Sequence, residues 1–455
     1  MPSATPSSRG SGSRPSLSPG ASSRTSPRST APSRRPLTAT VLVLLVLLLT
    51  GCNSHPAEDP SDSGTTRIGA DQARALEQRV MDQRARAVLE RRPALFLRNV
   101  DHRDKALMAR QRQYYDNLAQ LPLNVFRYQV RPAQWQGQRL LPRWGKDVRI
   151  PQVTLSVQLD GYDAVPVQRT VGFAFSFAGG KATIVSDRTA RGVPLFLGTP
   201  APWDLIAITV RRSSAVLGIF DRATAPTGDK LVTEVREGIA ELDRRLPFTW
   251  SQHVIVYSVS SADVLRTFTD VPGGSIEHLG ALTFPTYASP QGRSRVASTR
   301  MLVMPSSVRA GEPFLGRITR HELSHVAIGS RDDGAPTWVS EGIAEYLGAA
   351  ELPQRQRIIA TEALARAQSG IGAMPDSKDF NDSDQEWHYA LSWMAVDYVA
   401  ATYGESRMWE LVDAMHNDGS GTHDADQDRV LQQVLGFDSH ELARRAAGRI
   451  RQIYG

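Results

Sequence analysis

His321, Glu322, Leu323, Ser324 and His325 read H-E-x-x-H, a run whose residue types and spacing could do metal-assisted hydrolysis. Residues i and i+4 share a helical face, so His321 and His325 can aim two imidazoles at one metal ion. Glu322, next to the first His, can reach a water bound to that metal and act as its general base. Catalytic zinc takes three protein ligands and keeps one position open. The third ligand is sought on the next predicted helix, which starts near Pro336 because Pro is tolerated in a first helical turn. There Glu341 is the candidate ligand. Glu345 lies one turn further on the same face and could accept a hydrogen bond from the back nitrogen of a ligand His, fixing its tautomer. It also stands as an alternative ligand. Singly, a His is usually structural and a helical Glu is usually a solvated charge. The joint spacing is what points to a Zn2+ site.

The stretch Pro336-Thr337-Trp338-Val339-Ser340-Glu341-Gly342-Ile343-Ala344-Glu345-Tyr346, following H-E-L-S-H, resembles the gluzincin metallopeptidases. The closest likeness is to the peptidase-MA-like group, with a more distant one to thermolysin-like and M1 enzymes. The resemblance covers the C-terminal half of the chain. It implies a zinc peptidase in which the E-G context makes Glu341 the ligand in preference to Glu345. It also implies that Tyr389, opening Tyr389-Ala390-Leu391-Ser392-Trp393 on a predicted helix, stabilises the oxyanion; packing in a helical bundle is the plain alternative. His388 is a lesser candidate, because adjacent helical residues face differently. A metzincin is excluded, since Ile328 stands where its Gly is needed and Arg331 where its third His is needed. In M1 aminopeptidases a carboxylate in G-x-M-E-N grips the substrate amine. The corresponding Gly280-Ala281-Leu282-Thr283-Phe284 has none, so an endopeptidase is expected.

Elements must hold these residues in place. Apolar spacing predicts helices over roughly 337–349, 353–368, 386–403, 405–416, 426–435 and 438–453. Polar connectors are expected at 376–384 and 417–428. Ahead of the motif, Leu231, Val235, Ile239 and Leu242 mark an amphipathic helix, Val254-Ile255-Val256-Tyr257 a buried strand, and 279–284 and 296–304 two more strands. Earlier still, two helices (Leu76 to Val88, and roughly 103–120) precede alternating strands at 153–159 and 171–177. Gly179-Gly180 reads as a hairpin turn into Thr183-Ile184-Val185. The fold class is therefore α+β. Residues 71–200 form a helix-plus-antiparallel-sheet domain similar in layout to the NTF2-like cone fold. Residues 201–455 form a metallopeptidase-like domain with a small sheet and a mostly helical C-terminal half. No catalytic constellation is legible in residues 71–200, which read as a spacer or docking module.

The first 51 residues carry six Arg (Arg9, Arg14, Arg24, Arg28, Arg34, Arg35) and no Lys, Asp or Glu. Without them the remaining 47 basic residues balance the 47 acidic ones, so the net charge of +6 does not imply a nucleic-acid partner. The apolar run Val41 to Leu49 has the length of a signal h-region and is short for a membrane span. Leu49-Thr50-Gly51-Cys52 resembles a bacterial lipobox, which implies cleavage and a lipid on Cys52, the only Cys in the chain. Residues 1–51 are expected to be a lipoprotein signal peptide and 52–70 a flexible tether, with the chain on the extracytoplasmic face of the cell membrane. A peptide or protein substrate follows from the resemblance. The rival reading is a catalytically inactive zinc-binding lipoprotein that serves as an envelope binding or assembly module.

Overall fold

The computed structural model describes residues 68–455 apart from 137–140, 145–146, 270, 272–275, 277–278, 291, 370 and 417–425. The expected signal segment, Cys52 and nearly all of the tether lie outside the described residues. Among the described residues no helix is long and apolar enough to cross a membrane. Residues Thr65–Gly455 form one compact unit.

Three helices lead: α1 (Ala70–Leu89), α2 (Pro93–Leu97) and α3 (Lys105–Leu118). Asp104 caps α3, its carboxylate accepting from the Leu107 N–H at 2.9 Å. Strands follow: β1 (Leu123–Gln134), β2 (Val148–Arg149), β3 (Pro151–Leu159), β4 (Val167–Gly172), β5 (Ala174–Ala178), β6 (Lys181–Ser186) and β7 (Phe196–Leu197). They make two antiparallel sheets, ordered β1-β3-β4-β7 and β2-β5-β6. Gly179 and Gly180 take positive φ (54° and 69°) at the tip of the β5–β6 hairpin. The single strand expected over 171–177 is broken at Phe173, because the chain there passes from one sheet to the other. Gly172 marks the crossing: a Cβ at this position would lie 2.3 Å from Trp135 Nε1 and 2.9 Å from Leu195 Cβ.

A short α4 (Pro202–Leu205) leads into β8 (Thr209–Arg212), β9 (Val216–Phe220), α5 (Gly228–Arg245), β10 (Val254–Ser258), α6 (Ala262–Leu265), β11 (Ala281–Ser289) and β12 (Gly292–Val303). These strands form a five-stranded sheet, order β11-β12-β10-β9-β8. Its centre is parallel and its edge strands β8 and β11 run antiparallel to their neighbours. Both faces are covered, which is why β9 and β10 are buried at every residue. Val254, Val256, Met301 and Val303 pack with α5 and the helices that follow. Ile255, Tyr257 and Leu302 pack with the N-terminal helices and strands. The sheet is therefore a shared wall, and apolar packing is continuous across position 200.

The remainder is helical: α7 (Pro305–Ala310), α8 (Phe314–Ile328), α9 (Thr337–Ala349), α10 (Thr361–Ala367), α11 (Gln385–Tyr403), α12 (Glu405–Met415), α13 (Gln427–Leu435) and α14 (Ser439–Tyr454). The expected helix over 353–368 is realised only in its second half, with a 3-10 turn at Gln354–Gln356 before α10. Arg357 accounts for the break. Its guanidinium turns back to donate to the carbonyls of Ala350 (2.9 Å) and Leu352 (2.8 Å), just beyond the end of α9, where residues 357–360 are not helical.

Candidate active site

Helix α8 carries His321, Glu322 and His325, and α9 carries Glu341 and Glu345. The chain turns between them at Gly329 (φ 58°), whose N–H caps α8 by donating to the His325 carbonyl. Glycines let α9 lie close to its neighbours on both sides. A Cβ at Gly348 would stand 3.0 Å from the Arg317 carbonyl oxygen and 3.3 Å from the His321 nitrogen, both on α8. One at Gly342 would stand 2.7 Å from the Ser392 carbonyl oxygen on α11. Thr337, at the start of α9, donates its N–H to Ser377 Oγ at 2.9 Å.

This packing brings three candidate ligand atoms together. His321 Nε2 lies 3.3 Å and His325 Nε2 lies 3.7 Å from the same oxygen, Glu341 Oε2. Two atoms bonded to one tetrahedral zinc at about 2.0–2.1 Å stand about 3.3 Å apart, so the spacing fits the ion. Glu341 Oε2 is buried yet has no hydrogen-bond partner of good geometry among the described residues. A buried carboxylate oxygen set between two imidazole nitrogens needs positive charge beside it, supplied by protonated rings or by a bound cation. Among the described residues, His321, His325 and Glu341 are the group able to hold a metal ion.

Glu345 meets His321 from the other side, with Oε1 3.3 Å from Nδ1, and its Oε2 accepts from Arg317 Nη2 at 2.5 Å. The two glutamates thus address opposite nitrogens of one ring. Burial alone would pull the His321 pKa down, but hydrogen bonding to Glu341 and Glu345 and their charges raise it well above its ordinary value. His325 is raised as well: burial opposes, and the charge of Glu341 prevails. Burial would push Glu341 up, yet His325 and His321 hold it well below the usual carboxylate range. Glu345 is likewise held down, at about 2, where burial is outweighed by Arg317 and His321. The field at the point of convergence favours positive charge.

Glu322 is buried on α8, and its carbonyl accepts from Thr283 Oγ1 at 3.0 Å, tying the helix to edge strand β11. Its charge is felt by both His325 and Tyr389. Tyr389, on α11, has its ring centroid 6.5 Å from that of His321 and 5.0 Å from Phe380. Burial raises its hydroxyl pKa strongly, and Glu341, Glu345 and Glu322 raise it further, so it remains a proton-bearing donor. His388 is turned elsewhere, its Nδ1 2.9 Å from the Phe380 carbonyl oxygen. Arg317 and Asp332 carry no motif and escaped the sequence reading. Asp332, just past α8, has its carboxyl raised by burial against the pull of Ser340 and His325. The helical spacing of Arg317, one turn before His321, was the available signal.

No protein-family model and no curated protein matches the chain. Among solved structures, it is similar to an M1 zinc metallopeptidase from Deinococcus radiodurans, with TM-score 0.31 and 11% identity over 68% of this chain and 91% of that one. A point mutant of that enzyme gives TM-score 0.33 and 11% identity over 66% and 90%. The mutant bound to a Tyr-Ser-Ala substrate gives 0.31 and 13% over the same shares. Likeness at this level carries no weight for the chemistry, which rests on the site's own geometry.

Proposed function

We propose that this chain is a zinc-dependent peptidase of gluzincin type, acting as an endopeptidase and anchored outside the cytoplasm by a lipid on Cys52. The observation that carries the reading is the convergence of His321 Nε2, His325 Nε2 and the otherwise unpartnered Glu341 Oε2, beside the buried Glu322. His321, His325 and Glu341 would hold the ion, leaving a position for water. Zinc bound there would lower the pKa of a water and polarise the scissile carbonyl. Glu322 accepts the proton of the attacking water and passes it to the leaving amine. Tyr389, kept protonated by its surroundings, donates to the oxyanion. Edge strand β11 offers main-chain groups to an extended peptide, which gives affinity without strong sequence preference. Its Ala281 to Phe284 carries no carboxylate to grip a free amine, which favours internal cleavage.

The test is zinc content of the wild type and of His321→Ala, followed by a peptide digest with Glu322→Gln. We expect one zinc per chain, lost in the first variant, and internal cleavage abolished in the second with zinc retained. Equal activity of Glu322→Gln would refute the mechanism. Anchoring is tested by metabolic lipid labelling, and a label that persists in Cys52→Ser would refute it.

A further inference from the structure

Glu341 and Glu345 stand one turn apart on α9 and both reach His321, so composition alone does not decide which one binds a metal. Their surroundings do. Both oxygens of Glu345 are engaged: Oε1 with His321 Nδ1 at 3.3 Å and Oε2 with Arg317 Nη2 at 2.5 Å. Glu341 Oε2 instead faces the two imidazole nitrogens, His321 Nε2 at 3.3 Å and His325 Nε2 at 3.7 Å. Arg317 is itself fixed from two further directions. Its Nη1 donates to the Ile358 carbonyl at 3.1 Å, and its guanidinium lies 4.7 Å from the ring centre of Trp393. Trp393 is one turn beyond Tyr389 on the same face of α11. A single guanidinium thus touches α9, α11 and the irregular segment before α10, while standing one turn before His321 on α8.

We infer that Arg317 is a positioning residue that selects the metal ligand. By occupying Glu345, it keeps that carboxylate behind His321 as the acceptor for Nδ1–H, presents Nε2 to the metal, and leaves Glu341 as the ligand. Its charge also offsets one of the three carboxylates at the site. A neutral side chain here frees Glu345 to compete for the ion and lets the His321 ring turn. Lysine keeps the charge, but its single nitrogen has no planar fork with which to serve the Ile358 carbonyl and Glu345 together.

This inference rests on the metal reading above, and its test separates the two. Zinc affinity is measured by chelator competition on wild type, Arg317→Met, Arg317→Lys, Glu345→Gln and the double variant Arg317→Met/Glu345→Gln. The absorption spectrum of each Co2+-substituted protein is recorded alongside. Loss of an orienting partner of a ligand His weakens metal binding by about 10- to 100-fold. We expect that loss in Arg317→Met with a changed Co2+ spectrum, part of it recovered in Arg317→Lys. Glu345→Gln should match Arg317→Met, and the double variant should be no worse than either single, because both act through one chain of contacts. Glu345→Gln keeps Arg317 and its packing, so it carries the test if Arg317→Met fails to fold. Wild-type affinity and spectrum in Arg317→Met and Glu345→Gln, with zinc lost in His321→Ala, would overturn the inference alone. Losses that multiply in the double variant would also overturn it. Absence of zinc from the wild type would overturn the metal reading itself.

Discussion

Gly342→Ala tests whether the metal site depends on how closely α9 approaches α11. The added methyl would sit 2.7 Å from the Ser392 carbonyl oxygen, 2.9 Å from Val396 Cγ2 and 3.0 Å from the Ser392 carbonyl carbon, whereas ordinary contact begins at 3.4 Å. Two of these three atoms are backbone and cannot rotate away, so the helices must part by roughly 0.7 Å. Overpacking of this kind costs about 1–3 kcal/mol. Replacing Gly by Ala inside a helix returns about 1 kcal/mol. The net loss of stability is then at most about 2 kcal/mol, and the protein stays folded. Metal binding is less forgiving, because ligand distances hold only within about 0.2 Å of ideal. Glu341 is the residue next to the displaced one. We expect zinc affinity to fall at least tenfold, measured by chelator competition, with a melting temperature only a few degrees lower. Gly348→Ala probes the opposite side of α9, since its nearest contact, the Arg317 carbonyl oxygen on α8, is at 3.0 Å. Wild-type zinc affinity in Gly342→Ala would show that α9 is not positioned through this contact.

Two further outcomes follow from single side chains. Tyr389→Phe should lower turnover by about 10- to 1,000-fold while zinc content stays constant, as expected for loss of one oxyanion donor; unchanged turnover would remove Tyr389 from the chemistry. Glu234, whose carboxyl meets that of Glu312 above Gly316, has its pKa raised to about 7 by burial, by hydrogen bonding to Glu312 and by that group's charge. The folded chain therefore keeps a proton that an unfolded Glu releases near 4.5, and this contribution to stability is full below about 4.5 and lost as pH rises through about 7. Glu234→Gln should accordingly melt higher than wild type at pH 8 and nearly with it at pH 4.5; parallel melting curves across that range would refute the assignment.

Periodicity made most of the C-terminal half legible, because its helices bury one apolar face each. The helix expected over 337–349 is α9 to the residue, and the one expected over 386–403 is α11 within one residue. Where the expectation failed, a distant contact outweighed local preference. Arg357 breaks the helix over 353–368 by turning back toward the end of α9, and Gly172 marks where one apparent strand serves two sheets. Alternation is the same whichever sheet a strand joins, so no local pattern could show that switch.

The site divides along the same line. His321, Glu322, His325, Glu341 and Glu345 were visible because one-turn spacing is written into the chain, and the structure brings all five to the meeting of α8 and α9. Spacing cannot tell a ligand from its orienting partner, since Glu341 and Glu345 share one face and both reach the same imidazole. That distinction depends on what lies behind them. Arg317 fills one oxygen of Glu345, Gly348 lets α8 approach from one side, and Gly342 lets α11 approach from the other. None of the three resembles a catalytic residue, and each acts by excluding an alternative: a second ligand, or a wider gap. The proposed metal site of two histidines and one glutamate is therefore specified as much by the glycines and the arginine around it as by the motif that announces it.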